Sequence, residues 1–160
     1  MLIQCKVTYM ENVTLRAMTK DDYKGAYKLW ETIHGFGLLS VDDREKRIHD
    51  FLDRNPGLSV VAIKDNEIIG TILCGHDGRK GSFYHVCVKE ELRKQGIGKA
   101  MSVFCMNALK DEGINYLALN TFKRNILGNS FWSGEGYKLR DDYNMYDFLL
   151  NEENITRFNS

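Results

Sequence analysis

Three strand-like runs follow one another between residues 59 and 88 with only short turns between them, so the chain must build a sheet. Ser59-Val60-Val61-Ala62-Ile63 and Glu67-Ile68-Ile69-Gly70-Thr71-Ile72-Leu73-Cys74 are joined across Lys64-Asp65-Asn66, a hairpin-length connection. Gly75-His76-Asp77-Gly78-Arg79-Lys80-Gly81 is the next turn, and residues 82–88 form the third run. Turns this short join antiparallel neighbours. An earlier alternating run, Val13-Thr14-Leu15-Arg16, reads as a further strand.

Helical patterns surround this meander. Thr19-Lys20-Asp21-Asp22 has the form of a capping box, and Tyr23, Ala26, Tyr27 and Trp30 then recur at i, i+3, i+4, i+7. His34-Gly35-Phe36-Gly37 breaks that helix into a loop. Ser40-Val41-Asp42-Asp43 reads as a second cap, opening a helix that Asn55-Pro56-Gly57 ends. From Ile97 the apolar positions Ala100, Met101, Phe104, Cys105, Ala108 and Leu109 keep one helical face until Gly113. A strand over 116–119, a helix from Asn125 to about Gly134, and a closing hairpin of 137–139 with 143–150 complete the order. The expectation is an α+β (mixed α/β) chain, with a mainly antiparallel sheet of about six to seven strands and four helices on its faces.

Composition narrows what such a fold could do. The 160 residues suit one domain over 1–160, with 1–9 a possible extension because Met10 is a second candidate start. Twenty-two basic residues balance twenty-two acidic ones, which argues against a duplex-binding module. No apolar run approaches the roughly 18–20 residues of a membrane span. The opening MLIQCKVTYMENVTLR lacks the apolar stretch of a signal peptide, so a cytoplasmic location is expected. Cys5, Cys74, Cys87 and Cys105 contain no C-x-x-C pair, and the last three read as small buried hydrophobes. Cys87 stays open as a nucleophile at this point.

The segment that carries chemistry is Arg93-Lys94-Gln95-Gly96-Ile97-Gly98-Lys99-Ala100, between a strand and the best helix in the chain. Glycines allow close backbone approach, the first turn of a helix presents unpaired N–H groups, and the helix dipole favours an anion there. With Arg93, Lys94 and Lys99 added, the segment describes a phosphate or pyrophosphate cradle. A P-loop is excluded because Gly98-Lys99 is followed by Ala100, which has no hydroxyl for magnesium. A dinucleotide fingerprint is excluded because its third glycine position holds Met101.

What remains, R-x-x-G-x-G opening a helix after a strand, resembles the pyrophosphate motif of the GNAT superfamily of acyl-CoA-dependent N-acetyltransferases. The element order from Val13 to Leu150 is similar to the GNAT fold, and the chain looks like bacterial members of the ribosomal-protein or small-amine type. Asn125 and Gly136-Tyr137 match further family positions, whereas Trp132 stands where relatives often carry Tyr. The resemblance implies acetyl-CoA as co-substrate, no metal, and acetyl transfer to an amine by direct attack in a ternary complex. It implies that Val86, Cys87 and Val88 pair through their backbone with the pantetheine arm, with the Cys87 N–H as oxyanion donor. Lys94, Gln95, Gly96, Ile97, Gly98, Lys99 and Ala100, with Arg93, match the pyrophosphate loop, and Asn125 and Trp132 the arm and thioester.

Proton movement is less defined. His76, Asp77, Tyr84 and His85 stand near the expected site, and Tyr84 and His85 are the catalytic candidates. In a regular strand Tyr84, Val86 and Val88 share one face while Phe83, His85 and Cys87 share the other. Tyr84 and His85 could then both face an acceptor only across a bulge. His34 reads as a rim residue and His49 as a structural one. Indole N–H donates a hydrogen bond but no useful proton, so Trp132 separates an enzyme from the alternative, a CoA-binding sensor or interaction module without turnover. The expected partner is an amine of a small molecule, peptide or protein, with neither nucleic acid nor membrane, and the C-terminal hairpin offers a face for a possible homodimer.

Overall fold

The computed structural model describes residues 8–160. Six strands form the main sheet: β1 (Thr8–Met10), β2 (Val13–Ala17), β4 (Val60–Lys64), β5 (Glu67–His76), β6 (Lys80–Val88) and β7 (Tyr116–Ala118), in that spatial order. All neighbours are antiparallel except β6 and β7. Asp65 and Asn66 both have positive φ, the geometry of a tight hairpin turn between β4 and β5. Thr8 and Tyr9, which fall in the possible extension over 1–9, pair with β2 together with Met10. Residues 1–7, including Cys5, lie outside the described residues.

Helices α1 (Tyr23–Thr32) and α2 (Glu45–Arg54) cover one face, and α3 (Ile97–Asp111) and α4 (Ile126–Gly134) the other. Central strands are therefore buried on both sides, which explains their unbroken apolar runs. Val60, Ala62, Ile72 and Cys74 pack toward Met101, Cys105 and Leu109, whereas Val61 and Leu73 pack toward Leu29, Trp30 and Ile48. Cys74, Cys87 and Cys105 are free and buried, as their apolar neighbours suggested.

Two expectations are corrected. The hairpin of 137–139 with 143–150 does not form, and Leu139, Tyr143, Met145, Tyr146, Phe148 and Leu150 are exposed. Arg140 instead folds back on Asp142 (2.7 and 2.8 Å), and alternation without a complementary edge does not make a strand. The last strand is β8 (Thr156–Phe158), which pairs antiparallel with β3 (Gly37–Leu39) in the stretch after α1. Second, Ser40–Asp43 does not cap α2, whose N-cap is Arg44. Ser40 binds the tail through Ile155 N–H (2.9 Å) and Glu153 O, and Asp43 turns inward.

Candidate active site

The site is built where β6 stops being an ordinary strand. Thr71 faces Cys87 and Leu73 faces Tyr84, so Ile72 alone opposes both His85 and Val86. This is a β-bulge, and His85 carries it with φ of 50°. The extra residue resets the alternation. Phe83, Val86 and Val88 now pack with the α3/α4 face, while Tyr84, His85 and Cys87 lie on the α1/α2 face. The regular-strand assignment is thus overturned, and Tyr84 and His85 share a side. The bulge is held by Thr71, whose hydroxyl donates to His85 O (2.8 Å) and accepts from Trp30 Nε1 (2.9 Å).

The other edge of β6 is open. Parallel pairing with β7 ends at Ser82 and Ala118, and among the described residues no strand lies beside Phe83–Val88 on that side. Lys89 N–H bonds Ile69 O (2.8 Å), so by antiparallel alternation Cys87 also turns its N–H toward β5. The outward N–H groups are those of Val86 and Val88. The expected oxyanion donor at Cys87 is therefore corrected: its N–H is spent inside the sheet. Burial also pushes the Cys87 thiol up to about 11, which removes it as a nucleophile near neutrality.

At the end of β6 the Arg93 guanidinium donates to Val88 O (3.2 Å) and braces the following turn. Lys94 and Gly96 both have positive φ (60° and 86°), and Gly96 is the N-cap of α3. The first helical bond is Ala100 N–H to Gly96 O (3.0 Å). Among the described residues, no backbone N–H from Lys94 to Lys99 has a protein acceptor. Lys94 and Lys99 likewise make no ion pair there. A row of free amides at a helix start, flanked by two free ammonium groups, is a cradle for a polyanion. The two glycines serve different ends. A Cβ on Gly96 would meet only Met10 at 3.7 Å, so its backbone conformation demands glycine, whereas one on Gly98 would stand 3.3 Å from Phe131. Gly98 lets α3 approach α4.

Asn125 caps α4, its Oδ1 accepting from Gly128 N–H (2.9 Å), which leaves its amide nitrogen for another partner. Trp132 is 8% exposed, against Phe83, Phe131 and Tyr137. Its indole N–H has no partner among the described residues, and no buried side-chain nitrogen or oxygen there lacks one, so that N–H reaches the surface. Tyr84 is half exposed, edge-on to Phe51. His85 Nε2 lies 2.6 Å from Asp43 Oδ1, a partner that reading along the chain missed because 42 residues separate the two. His76 is removed from the site: Nε2 binds Glu112 and Nδ1 accepts from Gly78 N–H (2.9 Å). Asp77 holds its turn by accepting from Arg79 and Lys80 N–H, which lowers its carboxyl below the usual range. His34 borders the loop, its N–H on Glu90, and His49 binds Lys20 O. Among the described residues no cluster of three or more His, Cys, Asp or Glu could hold a metal ion, and no helix is long and apolar enough to cross a membrane.

The sequence profile of the acetyltransferase (GNAT) family matches residues 23–136. The chain belongs to the GNAT family. Two curated relatives are an acetyltransferase of Pectobacterium atrosepticum, 33% identical over 54% of this chain, and one of Photorhabdus laumondii, 36% identical over 54%. The chain spans about 60% of the length of each of these relatives. Among solved structures, the PaiA N-acetyltransferase of Thermoplasma acidophilum in complex with coenzyme A superposes with a TM-score of 0.71, at 16% identity over 93% of this chain and 99% of that one. A ribosomal-protein-alanine N-acetyltransferase from Brucella melitensis gives 0.64, at 16% identity over 87% and 99%. At these identities the structures establish the GNAT fold.

Proposed function

We propose that the protein transfers the acetyl group of acetyl-CoA to an amine by direct attack in a ternary complex. The observation that carries this reading is the run of amides from Lys94 to Lys99 that are free among the described residues, at the end of a β6 edge with no strand beside it there. Those amides, with Lys94 and Lys99, would hold the pyrophosphate. The N–H groups of Val86 and Val88 are the donors available to an arm lying along β6, and the Asn125 amide faces outward at the start of α4. Acetyl-CoA supplies an activated acyl thioester.

The protein's task is then to present a neutral amine and receive its proton. The amine nitrogen bonds the acyl carbon as the carbon–sulfur bond breaks, and one proton leaves nitrogen while the thiolate takes one from solvent. At pH 7 a lysine amine costs about 4.6 kcal/mol to deprotonate, whereas an α-amine costs only about 1–1.4. In this reading His85 accepts that proton, supported by its sharing the α1/α2 side of β6 with Tyr84. One buried histidine without a second base suits an α-amine or a similarly weak base better than lysine. Trp132 supplies at most a hydrogen bond, not a proton.

The test is isothermal titration with acetyl-CoA and with ATP, followed by thiol release across a panel of α-amine and lysine peptides and small amines. Acetyl-CoA binding with thiol release on an α-amine is expected. ATP binding without CoA binding would overturn the reading, and CoA binding without turnover on any amine would leave a CoA-binding module.

A further inference from the structure

We infer that Asp43 is a positioning residue for His85, holding the ring in the Nε2–H tautomer so that Nδ1 is the nitrogen that takes the amine proton. The inference rests on the acetyl-transfer reading for its kinetics but not for its geometry. A carboxylate only accepts, so the ring nitrogen 2.6 Å from Asp43 Oδ1 carries the hydrogen. The remaining nitrogen, Nδ1, has no partner among the described residues, and no side-chain nitrogen there is both buried and unpartnered. Nδ1 is therefore not sealed from solvent, and its lone pair has no partner among the described residues. His76 shows the contrast, since both its nitrogens are engaged.

Everything around the pair restricts its movement. Asp43 Oδ2 accepts from Leu39 N–H (2.6 Å), its main-chain oxygen accepts from Tyr23 OH (2.8 Å), and its own N–H donates to Leu39 O (3.2 Å). The imidazole stands edge-on between Trp30 (4.6 Å) and Phe36 (5.1 Å). Side-chain exposure is 12% for His85 and 4% for Asp43, so the pair is nearly dry. His85 has a positive φ, uncommon outside glycine, at the bulge from which its ring reaches Asp43. Titratable groups on the elements packed here include Asp43, Tyr23, Tyr27, Cys87 and the half-exposed Tyr84, with Glu31 and Glu45 near Tyr23. Burial pushes Tyr23 up to about 12 and Cys87 up to about 11, so neither changes charge near neutrality.

The experiment has an arm independent of turnover. Long-range proton–nitrogen correlation spectra of the CoA-free protein, with the His85 signals assigned by their loss in His85→Gln, should show the Nε2–H form. In Asp43→Asn the amide keeps an oxygen for Leu39 N–H but presents NH2 to Nε2, so the ring should switch to Nδ1–H. With the best acceptor, Asp43→Asn should lower kcat/KM at least tenfold while CoA affinity is unchanged. Asp43→Asn added to His85→Gln should cost nothing more. An Nδ1–H or mixed tautomer in the unaltered protein overturns the proposal whatever the variants do. So does an Asp43→Asn protein that binds CoA and retains its kcat/KM. Absence of turnover with every amine would instead sink the acetyl-transfer reading while leaving the tautomer result to stand.

Discussion

Gly96 and Gly98, two residues apart, answer to different forces, and substitutions should separate them. Valine at Gly96 must enter a left-handed conformation that β-branched side chains avoid, distorting the amides that would hold an anion. Gly96→Val should weaken CoA binding at least tenfold by calorimetry with little loss of melting temperature. Valine at Gly98 meets the Phe131 ring, so Gly98→Val should lower the melting temperature and affect CoA secondarily. Unchanged CoA affinity in a folded Gly96→Val protein would refute the cradle. Trp132→Tyr removes ring volume from a packed cluster and should cost stability by about 1–3 kcal/mol. Turnover should stay level or rise, because a phenol at that position can give sulfur a proton. A tenfold fall in kcat, about 1.4 kcal/mol of barrier, would show that the surface-reaching indole N–H has a positive role.

At the scale of elements, the decisive feature is the strap made by β3 and β8. Asn159 ties the tail to the end of α1, donating to Trp30 O (2.7 Å) and Ile33 O (2.8 Å), while its backbone exchanges bonds with Gly35 and Phe36. The strap in turn carries Leu39, which holds Asp43. Losing the two side-chain bonds in Asn159→Ala should cost about 1–3 kcal/mol in denaturant melts. Amide exchange at Gly37–Leu39 should quicken before exchange in β5 does. Equal protection in both proteins would show that β3 does not depend on the tail. The preceding stretch, residues 138–150, has neither strand nor helix and exposes most of its apolar side chains. Limited proteolysis should cut there first.

For the molecule as a whole, zero formal charge at pH 7 leaves little net repulsion near neutrality, so the first losses on acidification are read at individual pairs. Asp22 is the clearest. Burial pushes its carboxyl up, but the paired Arg16 guanidinium (2.7 and 2.8 Å) and Thr19 N–H (2.8 Å) outweigh this and hold it below the usual range. A carboxyl lowered on folding stabilises above its unfolded value near 3.9, and that contribution is lost as pH falls through the lower folded value. Asp22→Asn should therefore be less stable than the parent at about pH 6, with the gap closing toward about pH 3. A constant gap across that range would assign the loss to packing instead.

The sequence by itself determined the meander, the α3 pattern, the capping box at Thr19 and Asp22, and the glycine loop, because each is written in contiguous residues whose spacing follows local backbone geometry. The family resemblance was legible for the same reason: a pyrophosphate cradle is a local device made of backbone. Tertiary structure alone decided the rest. A single positive φ at His85 exchanged the faces of the strand that follows, and no period-2 reading contains a bulge. Asp43 read as a helix cap because nothing nearby in sequence names His85 as its partner. The alternating 143–150 found no edge, while the polar tail at 156–158 found one through Asn159 and Ser40. Local patterns state what a segment prefers; which strand, ring or carboxylate meets it depends on contacts whose closing entropy only the assembled sheet can offset.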